Sequence, residues 1–328
     1  MDDKRLYYID FLKFLGLTGI ILVHADPPFW AVWLRSFDVP IMVFLSAYLA
    51  ARSFKRYAEN GKTAAYIIDR VKRLVIPTWV FLSLYFILDL IFGNLYDIGF
   101  YLRSYGMTLY GIAYVWVILI YLYSAVLTPV FDRFKPTILV FLTLLIIYSL
   151  YEIGIFYDLN KNPFVNNTVF YIIPFGIVAY MGYHYAGFDT KTRILMFVSF
   201  LTVFVVGVIM YARNEGRIVN VSTASFPPRI YYLSYGLSVT TGLMLLCSKK
   251  ELKLYKNPLI VFISKHSMWI YLWHILTVRI AEFLKLPDSW ILRFVFIYVL
   301  AVLITFCVDL FFKKIDKEGK FAFSKYLR

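Results

Sequence analysis

The chain has 328 residues, of which 61% are hydrophobic, 20% aromatic and only 16% charged, and its formal net charge is +14. This composition excludes a soluble globular domain and indicates an all-α integral membrane protein that crosses the bilayer many times. Apolar stretches of about 18 to 22 residues recur along the chain, and each can cross about 30 Å of hydrocarbon as a helix. We predict about ten transmembrane helices, at residues 7–25, 34–52, 74–92, 109–131, 137–157, 168–186, 194–212, 229–247, 259–279 and 290–312.

The connections between these segments are short, so residues 1–328 are expected to form a single transmembrane domain with no separate soluble domain. Basic residues concentrate in alternate loops, for example around Arg52 and from Lys313 to Arg328. Because cytoplasmic loops are rich in Lys and Arg, we place both termini in the cytoplasm. The positive charge is therefore attributed to topology and to contact with anionic membrane lipids, and no motif suggests a nucleic-acid partner. The two cysteines are far apart in the sequence, and no metal site is expected.

The first predicted helix contains Asp10, Lys13 and His24. Eleven residues advance a helix by about 16 Å and return it to within about 20° of the starting direction, so Lys13 and His24 share one face. Ionisable side chains are costly in lipid, and this face is expected to line the protein interior or a water-filled cavity. The alternative is that Asp10 and Lys13 form a pair near the membrane surface while His24 ends the helix.

Two further groups follow in the next helices. Asp38 lies at the predicted outer start of the second helix, where it could open toward the same outer cavity and contact a substrate. Arg70 and Arg73 precede the third predicted helix, and Pro77 suits its first turn or a kink. Guanidinium groups bind phosphate in a bidentate manner, so this pair could hold a phosphorylated cofactor, although anchoring at the membrane surface would need the same residues.

The later helices add two candidate sites. Arg229, before the eighth helix, could meet an anionic group of an acceptor or serve as an interfacial anchor. Ser267, Tyr271 and His274 are spaced by four and three residues, which places them on one stripe of the ninth helix. His24 and His274 are then expected at similar depth, and imidazole is the side chain best suited to move a proton near neutral pH. The alternative is that Tyr271 and His274 form an ordinary interhelical hydrogen-bond pair or lie at the aromatic belt of the membrane interface.

Together these motifs resemble membrane acyltransferase family 3, the multi-helix enzymes that O-acylate bacterial surface polysaccharides and lipids. The resemblance extends from residue 7 to about residue 280, and the compact size is similar to that of the staphylococcal-type exopolysaccharide modification proteins. The family's first-helix Arg is Lys13 here, which keeps the charge but loses the bidentate fork. The matching positions are Lys13 and His24, Pro40 to Ser46-Ala47 for a phenylalanine-rich stretch that usually ends in Ser-Gly, Arg70 and Arg73 before Pro77, and Ser267, Tyr271, Leu272 and His274.

The resemblance implies an O-acyltransferase of the bacterial plasma (inner) membrane. The donor would be acetyl-CoA or another acyl-CoA from the cytoplasm, and the acceptor a hydroxyl of a cell-surface or lipid-linked glycan. The polysaccharide synthesis machinery is a further possible partner. In this scheme Arg70 and Arg73 hold the nucleotide phosphates, and Lys13, paired with Asp10, lines the lower channel.

His24 would act in this scheme as general base or as nucleophile. His274 or Tyr271 would orient His24 or stabilise the oxyanion. Two other functions remain open from the sequence. One is an exporter or flippase for a polysaccharide or lipid-linked sugar, and the other is a sensor or scaffold without activity.

Overall fold

The structure is a computed structural model that describes residues 5–315 except Phe92, and the side chain of Ile315 is also outside the description. The described residues form helices joined by short loops, with no strand among them, as predicted for an all-α membrane protein. The basic residues after residue 315, which were used to predict a cytoplasmic carboxyl terminus, lie outside the described residues. The cytoplasmic position of both termini stays a prediction. The helices are α1 (Tyr7–Val23), α2 (Phe29–Arg35), α3 (Asp38–Ala58), α4 (Thr63–Ile91), α5 (Ile98–Tyr105), α6 (Trp116–Arg133), α7 (Ile138–Phe156), α8 (Pro163–Asn167), α9 (Val169–His184), α10 (Thr190–Glu215), α11 (Ile230–Lys249), α12 (Pro258–Lys265), α13 (Ser267–Phe283) and α14 (Trp290–Ile315).

The number of membrane spans is slightly lower than the ten predicted. Among the described residues, eight helical segments are long and apolar enough to cross a membrane, and the bent pair of α12 and α13 gives a ninth if it counts as one span. Helix α1 has 17 residues and spans about 26 Å, which is short of the hydrocarbon thickness. Because α1 packs against α3, α12, α13 and α14, protein surrounds much of it.

Helix α3 occupies the centre of the bundle. It contacts α1, α4, α6, α9 and α11, and about half of its residues are buried. Its first residue is Asp38 and its middle contains Ser46, so the packing of α3 sets the position of both side chains. The two long outer helices α10 and α14 instead bury few of their apolar side chains, as expected for surfaces that face lipid.

The predicted start of the third helix was wrong. Helix α4 begins at Thr63, eleven residues before the apolar segment, so Arg70 and Arg73 lie within the helix instead of before it. Pro77 also lies inside the helix and not in its first turn. Proline has no N–H, so Pro77 cannot donate to the backbone carbonyl four residues earlier in the helix. The next carbonyl, that of Leu74, accepts a hydrogen bond from the Thr78 hydroxyl. Hydropathy detects only the apolar part of a helix that continues beyond the membrane.

The ninth predicted helix is two helices. Helices α12 and α13 meet at His266 with a bend of 82°. The last carbonyls of a helix have no intrahelical partner, and here the Ser264 carbonyl accepts a hydrogen bond from Lys13 Nζ at 2.6 Å. The Ser264 hydroxyl donates to Asp10 Oδ1 at 2.6 Å. Polar side chains of α1 therefore hold the end of α12 and fix the direction in which α13 leaves it.

Candidate active site

Four of the cavities between the helices form a row, because each shares wall residues with the next. We call them the basic, middle, histidine and charged cavities, and their volumes are about 70, 190, 380 and 200 Å³. The row begins beside Arg70 and Arg73 on α4 and reaches both sides of the His24 ring. The shared residues are Ser46, Arg70, Leu74 and Tyr121 for the basic and middle cavities, Ile20 and Tyr271 for the middle and histidine cavities, and Val23, His24 and Tyr114 for the histidine and charged cavities.

His24 ends α1, where its backbone N–H donates to the Ile21 carbonyl and the next N–H, of Ala25, donates to the Leu22 carbonyl. Its half-buried imidazole lines both the histidine and the charged cavity. The ring contacts the edge of Tyr114, with centroids 4.6 Å apart, and the His274 ring at 5.2 Å. No described group forms a hydrogen bond with its ring nitrogens, so these remain available for a ligand or for His274.

His274 lies behind His24 and is fully buried. Its Nδ1 is hydrogen-bonded to the Tyr271 carbonyl, which can only accept, so Nδ1 carries the proton. Nε2 is then an unprotonated acceptor, and it has no partner among the described residues. The structure thus brings together the two histidines that were expected at similar depth, with a free lone pair on the buried one.

Tyr271 and Ser267 occupy different parts of the row. Tyr271 lies in the wall between the middle and histidine cavities, and its hydroxyl donates to the Tyr114 carbonyl. Ser267, the first residue of α13, lines the middle cavity only. The Tyr271 hydroxyl is therefore committed to the backbone next to α6, and Ser267 lies on the far side of Tyr271 from the histidine cavity.

Lys13 lines the middle cavity, but the expected pair with Asp10 is not formed. Asp10 Oδ2 accepts from Arg5 at 2.6 Å and Oδ1 accepts from Ser264, so both carboxylate oxygens have other partners. Asp10 is buried and lines none of the four cavities. Its position indicates a structural link between α1 and α12, and Lys13 and Asp10 do not form a direct ion pair.

Arg70 and Arg73 both line the basic cavity, but their surroundings differ. Arg70 also reaches the middle cavity, donates to the Ser53 hydroxyl at 2.6 Å and lies over the Tyr66 ring at 5.4 Å. Arg73 is paired with Asp69 at 2.8 Å, and its side chain is 58% exposed. The charge of Arg70 is thus not compensated by any described carboxylate, whereas that of Arg73 is.

Asp38 lines the histidine cavity and is 1% exposed. Its Oδ1 accepts from the Val39 N–H at 2.7 Å, and its Oδ2 accepts from Arg35 Nη1 at 2.5 Å. Arg35, at the end of the short helix α2, lines the same cavity. Sequence analysis placed Arg35 at the start of the second predicted helix and gave it no role, although a spacing of three residues from Asp38 is a usable signal for an ion pair.

Arg229 follows Ser225 and Phe226, which line the histidine cavity, by four and three residues. It precedes α11 and pairs with Glu152 of α7, with both Nε and Nη2 3.0 Å from Oε2. The same carboxylate accepts the N–H of Ile230 and the hydroxyl of Tyr148. Arg229 lines none of the four cavities and joins α7 to α11, so its predicted contact with an acceptor has no support in this geometry.

Two tyrosines in the cavity walls were not predicted as site residues from the sequence. Tyr114 separates the histidine and charged cavities and contacts the His24 ring. Tyr121 lines the basic and middle cavities, and its buried hydroxyl has no partner among the described residues. With 28 tyrosines in the chain, no sequence signal distinguishes these two from the others.

The comparisons with known proteins agree with the resemblance drawn from the motifs. The family described as Acyltransferase domain matches residues 6–310, which is nearly the whole chain. No curated protein and no solved structure matches the chain. The family match includes every cavity residue described above, and the chain belongs to membrane acyltransferase family 3.

Proposed function

We propose that this membrane acyltransferase moves an acyl group, expected to be acetyl, from cytoplasmic acyl-CoA to a hydroxyl of an extracytoplasmic or lipid-linked glycan, in the plasma membrane of a bacterium. The observation that carries the proposal is the position of the His24 ring. It forms part of two cavity walls at one end of a row that begins beside Arg70 and Arg73. A donor that enters from the basic cavity and an acceptor that enters from the opposite side would meet at this ring.

The basic and middle cavities suit a long polyanionic donor. Arg70 supplies a guanidinium without a carboxylate partner, and the Lys13 ammonium binds only a neutral carbonyl. Such cations attract phosphate groups. The narrow middle cavity between them and Tyr271 would take the pantetheine arm, so that the thioester reaches the histidine cavity while the nucleotide stays at the basic end. The acyl group would thereby cross much of the bilayer within protein.

His24 and His274 together can move the hydroxyl proton. The unprotonated Nε2 of His274 is suited to accept an N–H of His24. The other nitrogen of His24 would then be unprotonated and free either to take the proton of an acceptor hydroxyl or to attack the thioester itself. Both routes need the same ring nitrogen. In this tautomer His274 is a positioning residue and cannot donate to an oxyanion.

The direct test is transfer of labelled acetyl from acetyl-CoA to the surface glycan of cells that contain or lack the protein. Mass spectrometry of the glycan should show a mass increase of one acetyl group per modified sugar only when the protein is present. An exporter would change the amount of surface glycan and leave its acetylation unchanged, and that outcome would contradict the proposal.

Arg70→Gln is expected to weaken CoA binding about tenfold or more, because one charge-assisted bond to phosphate contributes about 1.5–3 kcal/mol. Arg73→Gln should have a smaller effect, since Asp69 already compensates Arg73. Titration calorimetry with CoA and the purified protein in lipid nanodiscs measures both. Arg229→Gln removes an arginine of similar exposure outside the row and serves as the control. Unchanged affinity in Arg70→Gln would remove Arg70 from the donor site.

His274→Ala is expected to lower kcat about 100-fold or more while the KM for acetyl-CoA stays within about threefold, because loss of an orienting partner leaves the base in the wrong tautomer. Thr277→Ala is a matched control. Thr277 is equally buried one turn later on α13 and bonds only the backbone carbonyls of His274 and Ile297. If the two variants lose activity to the same extent, His274 has only a packing role.

A further inference from the structure

Acyl transfer places negative charge on the carbonyl oxygen of the thioester in the transition state, and this charge needs a hydrogen-bond donor. The sequence analysis expected Tyr271 or His274 to donate this hydrogen bond, but both side chains already donate to backbone carbonyls. The Tyr271 hydroxyl donates to the Tyr114 carbonyl, and the His274 Nδ1–H donates to the Tyr271 carbonyl. The proposed function, on which this inference rests, therefore lacks an assigned oxyanion donor.

Arg35 is placed to fill this role. It is the one Lys or Arg among the described residues that line the histidine cavity, which also holds His24. Its side chain is 16% exposed, and its Nε–H is buried without a partner among the described residues. A buried guanidinium N–H that the fold leaves unpaired is available to a ligand in the cavity.

The guanidinium is also held rigidly. Nη1 bonds Asp38 Oδ2, and Asp38 is fixed in turn by the Val39 N–H at the start of α3. The Ser36 hydroxyl, directly after α2, donates to the Val32 carbonyl and ties the end of α2 back to the helix. A donor that is fixed before the reaction stabilises developing charge without reorganisation.

Other polar groups line the same cavity, but they are weaker candidates. Tyr114 and Tyr232 offer neutral hydroxyl groups, and the Ser225 hydroxyl already donates to the Ser222 carbonyl. Hydrogen bonds from a charged donor are about twice as strong as those from neutral ones. A cation is accordingly the best partner for an oxygen that gains a full negative charge.

We infer that Arg35 is a further catalytic residue, whose Nε–H binds the carbonyl oxygen of the thioester in the histidine cavity. In the reaction the acceptor oxygen bonds to the carbonyl carbon and its proton passes to His24. The carbonyl π electrons move onto the oxygen that Arg35 binds. When they return, the carbon–sulfur bond breaks, and the CoA thiolate takes the proton from His24. The products are CoA thiol and an ester, or CoA thiol and acetic acid when water is the acceptor, and the acid then releases its proton to solvent.

The test measures thiol release from acetyl-CoA by the full chain in nanodiscs, once with water alone and once with methyl α-D-glucoside as a probe acceptor. Arg35→Gln is expected to lower kcat about 100-fold or more with either acceptor, while CoA affinity stays unchanged. Arg35→Lys should recover only part of the rate, because the ammonium has no planar fork. Arg193→Gln is the matched control, because Arg193 Nε is also buried without a partner among the described residues but Arg193 lines none of the four cavities, and it should stay within about threefold of the wild type.

Because Arg35→Gln leaves the Asp38 carboxylate without its partner, the double variant Arg35→Gln/Asp38→Asn removes both charges, and it should show the same loss of kcat in a folded protein. Loss of transfer to the glucoside with normal release to water would make Arg35 an acceptor-binding residue and overturn the inference. Normal kcat in both assays would overturn it as well, and the proposed function would stand. A wild-type protein that binds CoA but releases no thiol with either acceptor would contradict the proposed function itself.

Discussion

Replacement of His24 by alanine is expected to lower acyl transfer by about 100- to 10,000-fold, the range that a general base contributes. The His24 ring is the one imidazole that lines both the histidine and the charged cavity, and His274 lies behind it. If the acyl group instead passes through an acyl-histidine, the loss should be at least as large, because no other described imidazole lines the row. Initial rates of labelled acetyl incorporation from acetyl-CoA measure the effect.

The fold should tolerate this change. The bonds that end α1 come from the backbone of His24 and Ala25, and the His24 ring forms no hydrogen bond with the described residues. CoA affinity and the size-exclusion profile are therefore expected to match the wild type. His184→Ala is the matched control, since His184 is also half-buried at a helix end but bonds the Phe131 carbonyl outside the row. A His24→Ala variant with more than about a tenth of the wild-type rate would exclude His24 as base and as nucleophile.

The parts of the site that follow from local helix geometry could be predicted from the sequence. Lys13 and His24 lie on one helix, and an eleven-residue spacing fixes their relative direction whatever surrounds them. The same holds for Tyr271 and His274, which are one turn apart on α13. Periodicity together with the cost of ionisable groups in lipid was sufficient to select these four residues.

The partners of these residues could not be predicted, because they come from distant parts of the chain. Asp10 was assigned to Lys13, its neighbour on the helix, but Ser264 binds both side chains from 250 residues further on. Arg229 was assigned to an acceptor, but Glu152 on another helix takes its charge. Contacts between residues on different helices cannot be predicted from their positions in the sequence, because they depend on how the helices pack.

The bend between α12 and α13 was missed for a different reason. Hydropathy averages over a window, and the polar residues at the break lie between two strongly apolar stretches. The average therefore stays high across a change of direction of 82°. The bend matters for function because it gives α13 its direction, and α13 carries the Tyr271 side chain into the wall between the middle and histidine cavities.

The second large effect is expected from Gly182→Ala on α9, which should destabilise the fold. A Cβ added at Gly182 would lie 2.3 Å from the Phe44 carbonyl oxygen and 3.0 Å from its carbonyl carbon, both of which are backbone atoms of α3. Side-chain rotation cannot relieve such a contact, so the two helices must separate. Small residues permit this close packing in membrane proteins, and overpacking here should cost about 3 kcal/mol or more. We expect an apparent melting midpoint at least about 5 °C lower in detergent, measured by fluorescence-detected size exclusion.

Gly176→Ala provides the control on the same helix, because its added Cβ would meet only the Leu127 Cδ1 at 3.7 Å. Alanine is favoured over glycine within a helix by about 1 kcal/mol, so this variant should be as stable as the wild type or slightly more stable. Since α3 carries Asp38 and Ser46 into three of the four cavities, Gly182→Ala should also lower transfer in whatever fraction stays folded. Equal melting midpoints for the two variants would show that α3 and α9 are not in contact at Phe44, and the position of α3 behind the row of cavities would then need to be revised.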